Sequence, residues 1–137
     1  MSHILITGAN RGIGARLAEL YTATGDTVTA TARSGAGYAA LDVTQPASVQ
    51  ALASAMEGQS LDLLICNAGI YPDKGQSLEA GYPAQMWADS FATNVTGVFL
   101  TVQAFLPQLK RSQAPKIAII SSQMGSDTRA PGGSYIY

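Results

Sequence analysis

Apolar residues in this chain fall into short runs that alternate with stretches where they recur every three or four positions. His3 to Thr7 reads as a first strand, followed by a helix from about Arg11 to Thr24 with Ile13, Leu17, Leu20 and Tyr21 on one face. Gly25 supplies a left-handed C-cap, and Thr27 to Ala32, rich in β-branched residues, reads as a second strand. Tyr38 to Val43 reads as a third strand, separated from the second only by Arg33-Ser34-Gly35-Ala36-Gly37. So short a polar stretch cannot hold a crossover helix: either that helix has been deleted or the third strand is shorter than its apolar run. Thr44 and Pro46 open the next helix, with Val49, Leu52, Ala53 and Met56 as its buried stripe and Gly58 as its stop. Leu61 to Cys66 is the fourth strand and Asn67 to Pro83 a long loop. One long helix is expected from about Ala84 to Leu109, with Phe91, Val95, Val98, Val102, Phe105 and Leu109 spaced at three and four. Lys116 to Ser121 is the fifth strand, and a Gly/Ser/Pro loop begins at Ser122.

Strand–helix alternation predicts an α/β architecture with a parallel sheet and helical crossovers, which puts every loop that leaves a strand on one rim. Composition agrees: 137 residues, 47% hydrophobic and 12% charged, describe one globular unit with a modest core. A formal charge of −1 offers no electrostatic reason to expect nucleic acid or an anionic membrane as a partner. Cys66, the single cysteine, lies in an apolar run and is expected to be a buried structural thiol. His3 is the only histidine, and without ligand-type Cys/His spacing no metal site is expected. The first strand starts too close to Met1 for a signal peptide, and the apolar stretches are too short to span a bilayer, so a cytoplasmic location is expected.

Candidate chemistry is concentrated on the rim. Thr7-Gly8-Ala9-Asn10-Arg11-Gly12-Ile13-Gly14 joins the first strand to the first helix with the spacing Gly-x-x-x-Gly-x-Gly. Glycines let the backbone approach an anion closely, and the unpaired N–H groups of a helix start face it, so this turn is a candidate phosphate site. Tight strand–helix packing is the alternative use of the same glycines. After the later strands come Arg33, then Asp42-Val43, then Asn67-Ala68-Gly69, then Ser121-Ser122. Independent loops would rarely line up polar residues in this order, although singly Ser122 could merely end a strand and Arg33 could be an ordinary surface cation.

These motifs, with their spacing, resemble the short-chain dehydrogenase/reductase family over essentially the whole chain. The resemblance implies a Rossmann-type doubly wound parallel sheet, of which residues 1–137 would form an NAD(P)-binding domain incomplete at its C-terminal end. Five strands in the order 3-2-1-4-5 would be present out of seven. Thr7, Gly8, Asn10, Arg11, Gly12, Ile13 and Gly14 then form the cofactor loop, and Asp42-Val43 looks like the family's adenine-contacting Asp-Val pair. The family's Asn-Asn-Ala-Gly appears as Cys66-Asn67-Ala68-Gly69, with Cys66 unable to offer the first amide. Asn-Val-x-Gly appears as Asn94-Val95-Thr96-Gly97, where Asn94 is implied to hold a water in a proton relay. Ser-Ser-x-x-Gly places the catalytic serine at Ser122, and the later Gly-Gly-Ser-Tyr-x-Tyr resembles the C-factor and carbonyl-reductase branch. The family base is a tyrosine with a lysine four residues on. Tyr137 is the better match and Tyr135 its competitor, and the sequence ends without that lysine.

Hydride transfer to a carbonyl needs an acid to protonate the developing alkoxide and a hydroxyl to polarise it, the parts implied for Tyr137 and Ser122. Cofactor preference is read at the end of the second strand, where an acid would bind a ribose 2′-hydroxyl and an arginine a 2′-phosphate. That position is Ala32-Arg33, and Arg11 lies within the glycine loop, so NADP(H) is expected, with NAD(H) less favoured. A small carbonyl or alcohol substrate is implied by the resemblance, as is a homo-oligomer at full length. Two functions stand side by side: an NADP-dependent oxidoreductase belonging to a longer polypeptide, and a truncated, non-catalytic nucleotide-binding or signalling fragment that keeps the loop but lacks the lysine.

Overall fold

The structure is a computed structural model that describes residues 1–126, 128–130 and 136. Its elements alternate as the apolar pattern predicts: β1 (His3–Ile6), α1 (Gly12–Ala23), β2 (Thr27–Ala32), β3 (Ala39–Ala40), α2 (Pro46–Ala55) and β4 (Leu63–Cys66). They continue with α3 (Ala84–Phe91), a π-helical segment Ala92–Thr96, α4 (Gly97–Leu109), β5 (Lys116–Ile119) and a short turn of 3₁₀ helix, Gln123–Gly125. The five strands form one sheet in the order β3-β2-β1-β4-β5, with every pairing parallel.

Side-chain alternation along the central strands explains why helices cover both faces. Leu5, Leu64 and Cys66 point to one side and pack with Ala53 of α2, with Met56 at its C-cap and with Phe105 and Leu109 of α4. Ile4, Ile6 and Ile65 point to the other, against Leu17, Ala18 and Tyr21 of α1. Ile13 and Leu20, expected on the same stripe of α1, are instead exposed. The contacting face of this helix is narrower than its apolar residues, and Ile13 lies at the rim. The turn out of α1 shows how local sequence sets direction. Gly25 adopts φ +87°, and the N–H groups of Gly25 and Asp26 donate to the carbonyls of Thr22 and Tyr21, closing a Schellman cap.

Of the two possibilities for the third strand, the structure has the short one. Only Thr31↔Ala39 and Ala32↔Ala40 pair, and the N–H of Leu41 extends the contact to the Ala32 carbonyl. Parallel neighbours ordinarily need a crossover of a dozen residues or more, because the chain must travel back the length of a strand. A two-residue ladder removes that requirement, and left-handed Gly35 and Gly37 turn the chain within the space available.

The long helix expected from Ala84 to Leu109 is interrupted. Its stripe holds for Val98, Val102, Phe105 and Leu109, but Phe91 and Val95 are exposed. One π turn inserts an extra residue and rotates the residues before it by about 100° relative to those after it. Residues spaced on one ideal helical face therefore end on two.

Candidate active site

The first fastening of the rim is made by Thr7. Its hydroxyl is buried and accepts the N–H groups of Asn67 and Ala68, each at 2.9 Å, joining the loop after β1 to the loop after β4. Asn67 returns the connection, its Nδ2 donating to the carbonyls of Thr7 and Gly8 at 3.0 Å. Asn67 thus fastens the glycine turn through its own side chain, next to Cys66. Cys66 itself is buried, and desolvation pushes its thiol up to about 11.

Close approach explains the glycine spacing. A Cβ on Gly8, which has φ +66°, would lie 3.0 Å from the Ala68 Cα, and one on Gly14 would overlap the Gly8 carbonyl oxygen and the Asn67 amide. Gly12 differs: at φ +56° it meets nothing within 4 Å, so it keeps the surface in front of the helix start open. The start of α1 has no side-chain cap, leaving its first N–H groups without that partner.

In front of this turn lies a cleft of about 600 Å³. Gly8, Asn10, Arg11, Gly12 and Ile13 line it from the first loop, Arg33 from the second and Asp42 and Val43 from the third. Asn67, Ala68 and Gly69 line it from the fourth. Thr7 and Gly14, buried beneath the same turn, act as its supports. Arg11 and Arg33 are exposed, and neither makes an ion pair with a described residue. Asp42 is oriented by Thr44, whose N–H and hydroxyl reach Oδ1 at 2.9 and 2.7 Å. Val43 packs on Gly97 so closely that a Cβ there would sit 2.9 Å from both a Val43 methyl and the Val43 carbonyl oxygen.

A second chamber of about 410 Å³ borders the first and shares Ile13, Asn67, Ala68, Gly69 and Ile70 with it. Asn94 and Ser122 line this chamber. Asn94 stands in the π-helical segment and grips one residue of the opposite loop at both ends: Oδ1 accepts the Ile70 N–H at 2.9 Å, and Nδ2 donates to the Ile70 carbonyl at 2.8 Å. Ser122 precedes the 3₁₀ turn and accepts the Met124 N–H at 3.1 Å. Tyr137 and its competitor Tyr135 lie outside the described residues. Ile70 and Thr44 were not expected at the site. Ile70 offers only its backbone and leaves no signal in sequence, whereas Thr44, two residues after an aspartate, fits a side-chain turn. Among the described residues no group of three or more His, Cys, Asp or Glu side chains could hold a metal ion, and no helix is long and apolar enough to cross a membrane.

Comparison with known proteins bears on this arrangement. Residues 2–136 match the short chain dehydrogenase family profile. The chain belongs to this family. Among curated relatives, the 3-oxoacyl-(acyl-carrier-protein) reductase FabG of Vibrio cholerae is 33% identical, the match covering 96% of this chain and 59% of FabG. This short-chain dehydrogenase chain therefore spans about three-fifths of such relatives. A Burkholderia multivorans structure described as that of a short-chain alcohol dehydrogenase superposes with a TM-score of 0.87 at 28% identity, covering 100% of this chain and 70% of that one. NADPH-bound carbonyl reductase from chicken fatty liver superposes with a TM-score of 0.81 at 28% identity, covering 93% of this chain and 62% of that one.

Proposed function

We propose that this chain is the cofactor-binding and partial catalytic portion of an NADP-dependent oxidoreductase that moves a hydride between NADPH and a small carbonyl or alcohol substrate. One observation carries the reading: loops after four successive strands meet in a single cleft, and that cleft opens onto a chamber lined by Asn94 and Ser122. The residues fit a dinucleotide. Gly12 leaves a cradle that a side chain would fill, the start of α1 keeps donors for a phosphate, and two exposed guanidiniums flank the same cleft.

In this reading Gly8, Asn10, Arg11, Gly12 and Ile13 hold the phosphates, with Thr7 and Gly14 supporting the turn. Asp42 and Val43 face the adenine end, and Asn67, Ala68 and Gly69 form the wall between the chambers. Bound NADPH supplies the hydride. Ser122 polarises the carbonyl, Tyr137 (or Tyr135) gives the proton to the alkoxide oxygen, and Asn94 holds the Ile70 peptide and a relay water. Arg33 and Arg11 favour the 2′-phosphate, a preference in keeping with the NADPH found in the chicken carbonyl reductase structure. That similarity and the Gly-Gly-Ser-Tyr-x-Tyr order also support the carbonyl-reductase branch. A cytoplasmic homo-oligomer completes the reading, a second copy covering exposed Phe91, Val95 and Phe99.

Titrating the protein with NADPH and NADH tests the cofactor, and NADPH oxidation with a panel of aldehydes and ketones tests the chemistry. NADPH is expected to bind at least about tenfold more tightly, the worth of one charge-assisted contact, and Arg33→Ala to narrow that gap. Tighter NADH binding would overturn the cofactor preference. Binding of neither nucleotide, with no turnover on any carbonyl, would overturn the oxidoreductase.

A further inference from the structure

We propose that Asp73 is a positioning residue for the segment that carries the reaction's acid, a role that rests on the oxidoreductase reading above. Asp73 lies in the loop after β4 and is completely buried. Its Oδ2 accepts the backbone N–H of Ile136 at 3.0 Å, across 63 positions of sequence. Ile136 stands between Tyr135 and Tyr137 in the chain, so whichever tyrosine is the acid, its backbone is covalently next to the anchored amide. Ile136 also lines the chamber that holds Ser122 and Asn94, whereas Asp73 lines neither chamber. Asp73 thus reaches the reaction only through the backbone it holds.

Stability does not explain this carboxylate. Its Oδ1 is buried with no hydrogen-bond partner among the described residues. A buried carboxylate with one oxygen unpaired is an unfavourable arrangement, which an apolar residue of similar volume would relieve. The placement makes sense as part of a series. Within seven residues the same loop is fastened to the glycine turn through Asn67, to the π-helical segment through Ile70 and to the Ile136 amide through Asp73. One loop therefore sets the relative positions of the cofactor turn, Asn94 and Ile136. Such alignment matters because a misplacement of about 1 Å can lower a rate by about 100-fold.

The test compares Asp73→Leu, which removes the acceptor and the buried carboxyl group together, with Asp73→Asn, whose side-chain oxygen can accept the same N–H. Asp73→Leu is expected to lose at least about tenfold in kcat with the NADPH dissociation constant within about twofold, and Asp73→Asn to keep kcat within about threefold of wild type. Hydrogen exchange at the Ile136 amide gives a readout independent of turnover: protected in wild type and Asp73→Asn, and unprotected in Asp73→Leu. Equal exchange in all three proteins would overturn the anchor, as would a folded Asp73→Leu enzyme with unchanged kcat. Should Asp73→Leu not fold, Asp73→Ala replaces it under the same criteria. A wild-type protein inactive on every carbonyl would refute the oxidoreductase reading, while Ile136 exchange would still decide the anchor.

Discussion

Replacing Thr7 by valine removes one hydroxyl and little else, because valine has the same branched shape and χ1 preference. The threonine is 2% exposed, and its hydroxyl is the side-chain acceptor for two backbone N–H groups, those of Asn67 and Ala68. A buried donor left without its acceptor costs about 1–3 kcal/mol. Asn67 and Ala68 are only half-buried, so their N–H groups are less completely desolvated and the lower end applies to each. Thr7→Val should therefore destabilise the protein by about 2 kcal/mol. For a chain of this length that lowers Tm by roughly 7 °C. Thr7→Ser is the control, since it keeps the acceptor and loses one methyl, worth about 0.8 kcal/mol. The assay is urea unfolding monitored by circular dichroism, with calorimetry for Tm. A valine variant within about 0.5 kcal/mol of wild type, or a serine variant less stable than valine, would show that the hydroxyl does not hold the two loops together. If the loops do part, the NADPH dissociation constant should rise in Thr7→Val and not in Thr7→Ser.

The same geometry yields two further outcomes. Gly14→Ala puts the better helix former into α1, a change normally worth about 1 kcal/mol in favour, yet it should lower stability in urea unfolding because the new Cβ meets the Gly8 carbonyl and the Asn67 amide; a stabilised variant would contradict this close approach. Cys66, whose thiol burial raises from the ordinary 9.0 to about 11, holds its proton in the folded state after the unfolded chain has released it. Its contribution is complete below pH 9.0 and is lost as pH rises through about 11. Urea unfolding at about pH 8 and about pH 10.5, on either side of the unfolded thiol's titration, should accordingly show a smaller alkaline loss in Cys66→Ala than in wild type, and an equal loss would place the thiol outside the titration.

Much of the fold was legible because its determinants are local. Ile4-Leu5-Ile6 and Leu63 to Cys66 identify themselves as buried strands by composition, Gly25 and Gly58 end helices through backbone conformations available to glycine, and alternation of strand and helix then implies a parallel sheet. The candidate cleft was legible for a related reason: in such a sheet every strand ends on the same rim, so the glycine turn, Arg33, Asp42 and Asn67 must come close whatever the details of packing. What remained hidden depends on residues far apart in sequence. The break in the long helix at Ala92–Thr96 obeys no periodicity visible in Phe91, Val95 and Val98; it accompanies the placement of Asn94 against Ile70. The length of β3, the packing of Val43 on Gly97 and the reach of Asp73 to Ile136 likewise depend on distances that only the closed sheet creates. Sequence by itself determined which segments form strands and helices and on which rim their polar ends gather, because propensity and periodicity act within a few residues. Tertiary structure alone decided which of those polar groups touch, because a hydrogen bond between residues 24 to 63 positions apart exists only once packing has set their separation to within an ångström.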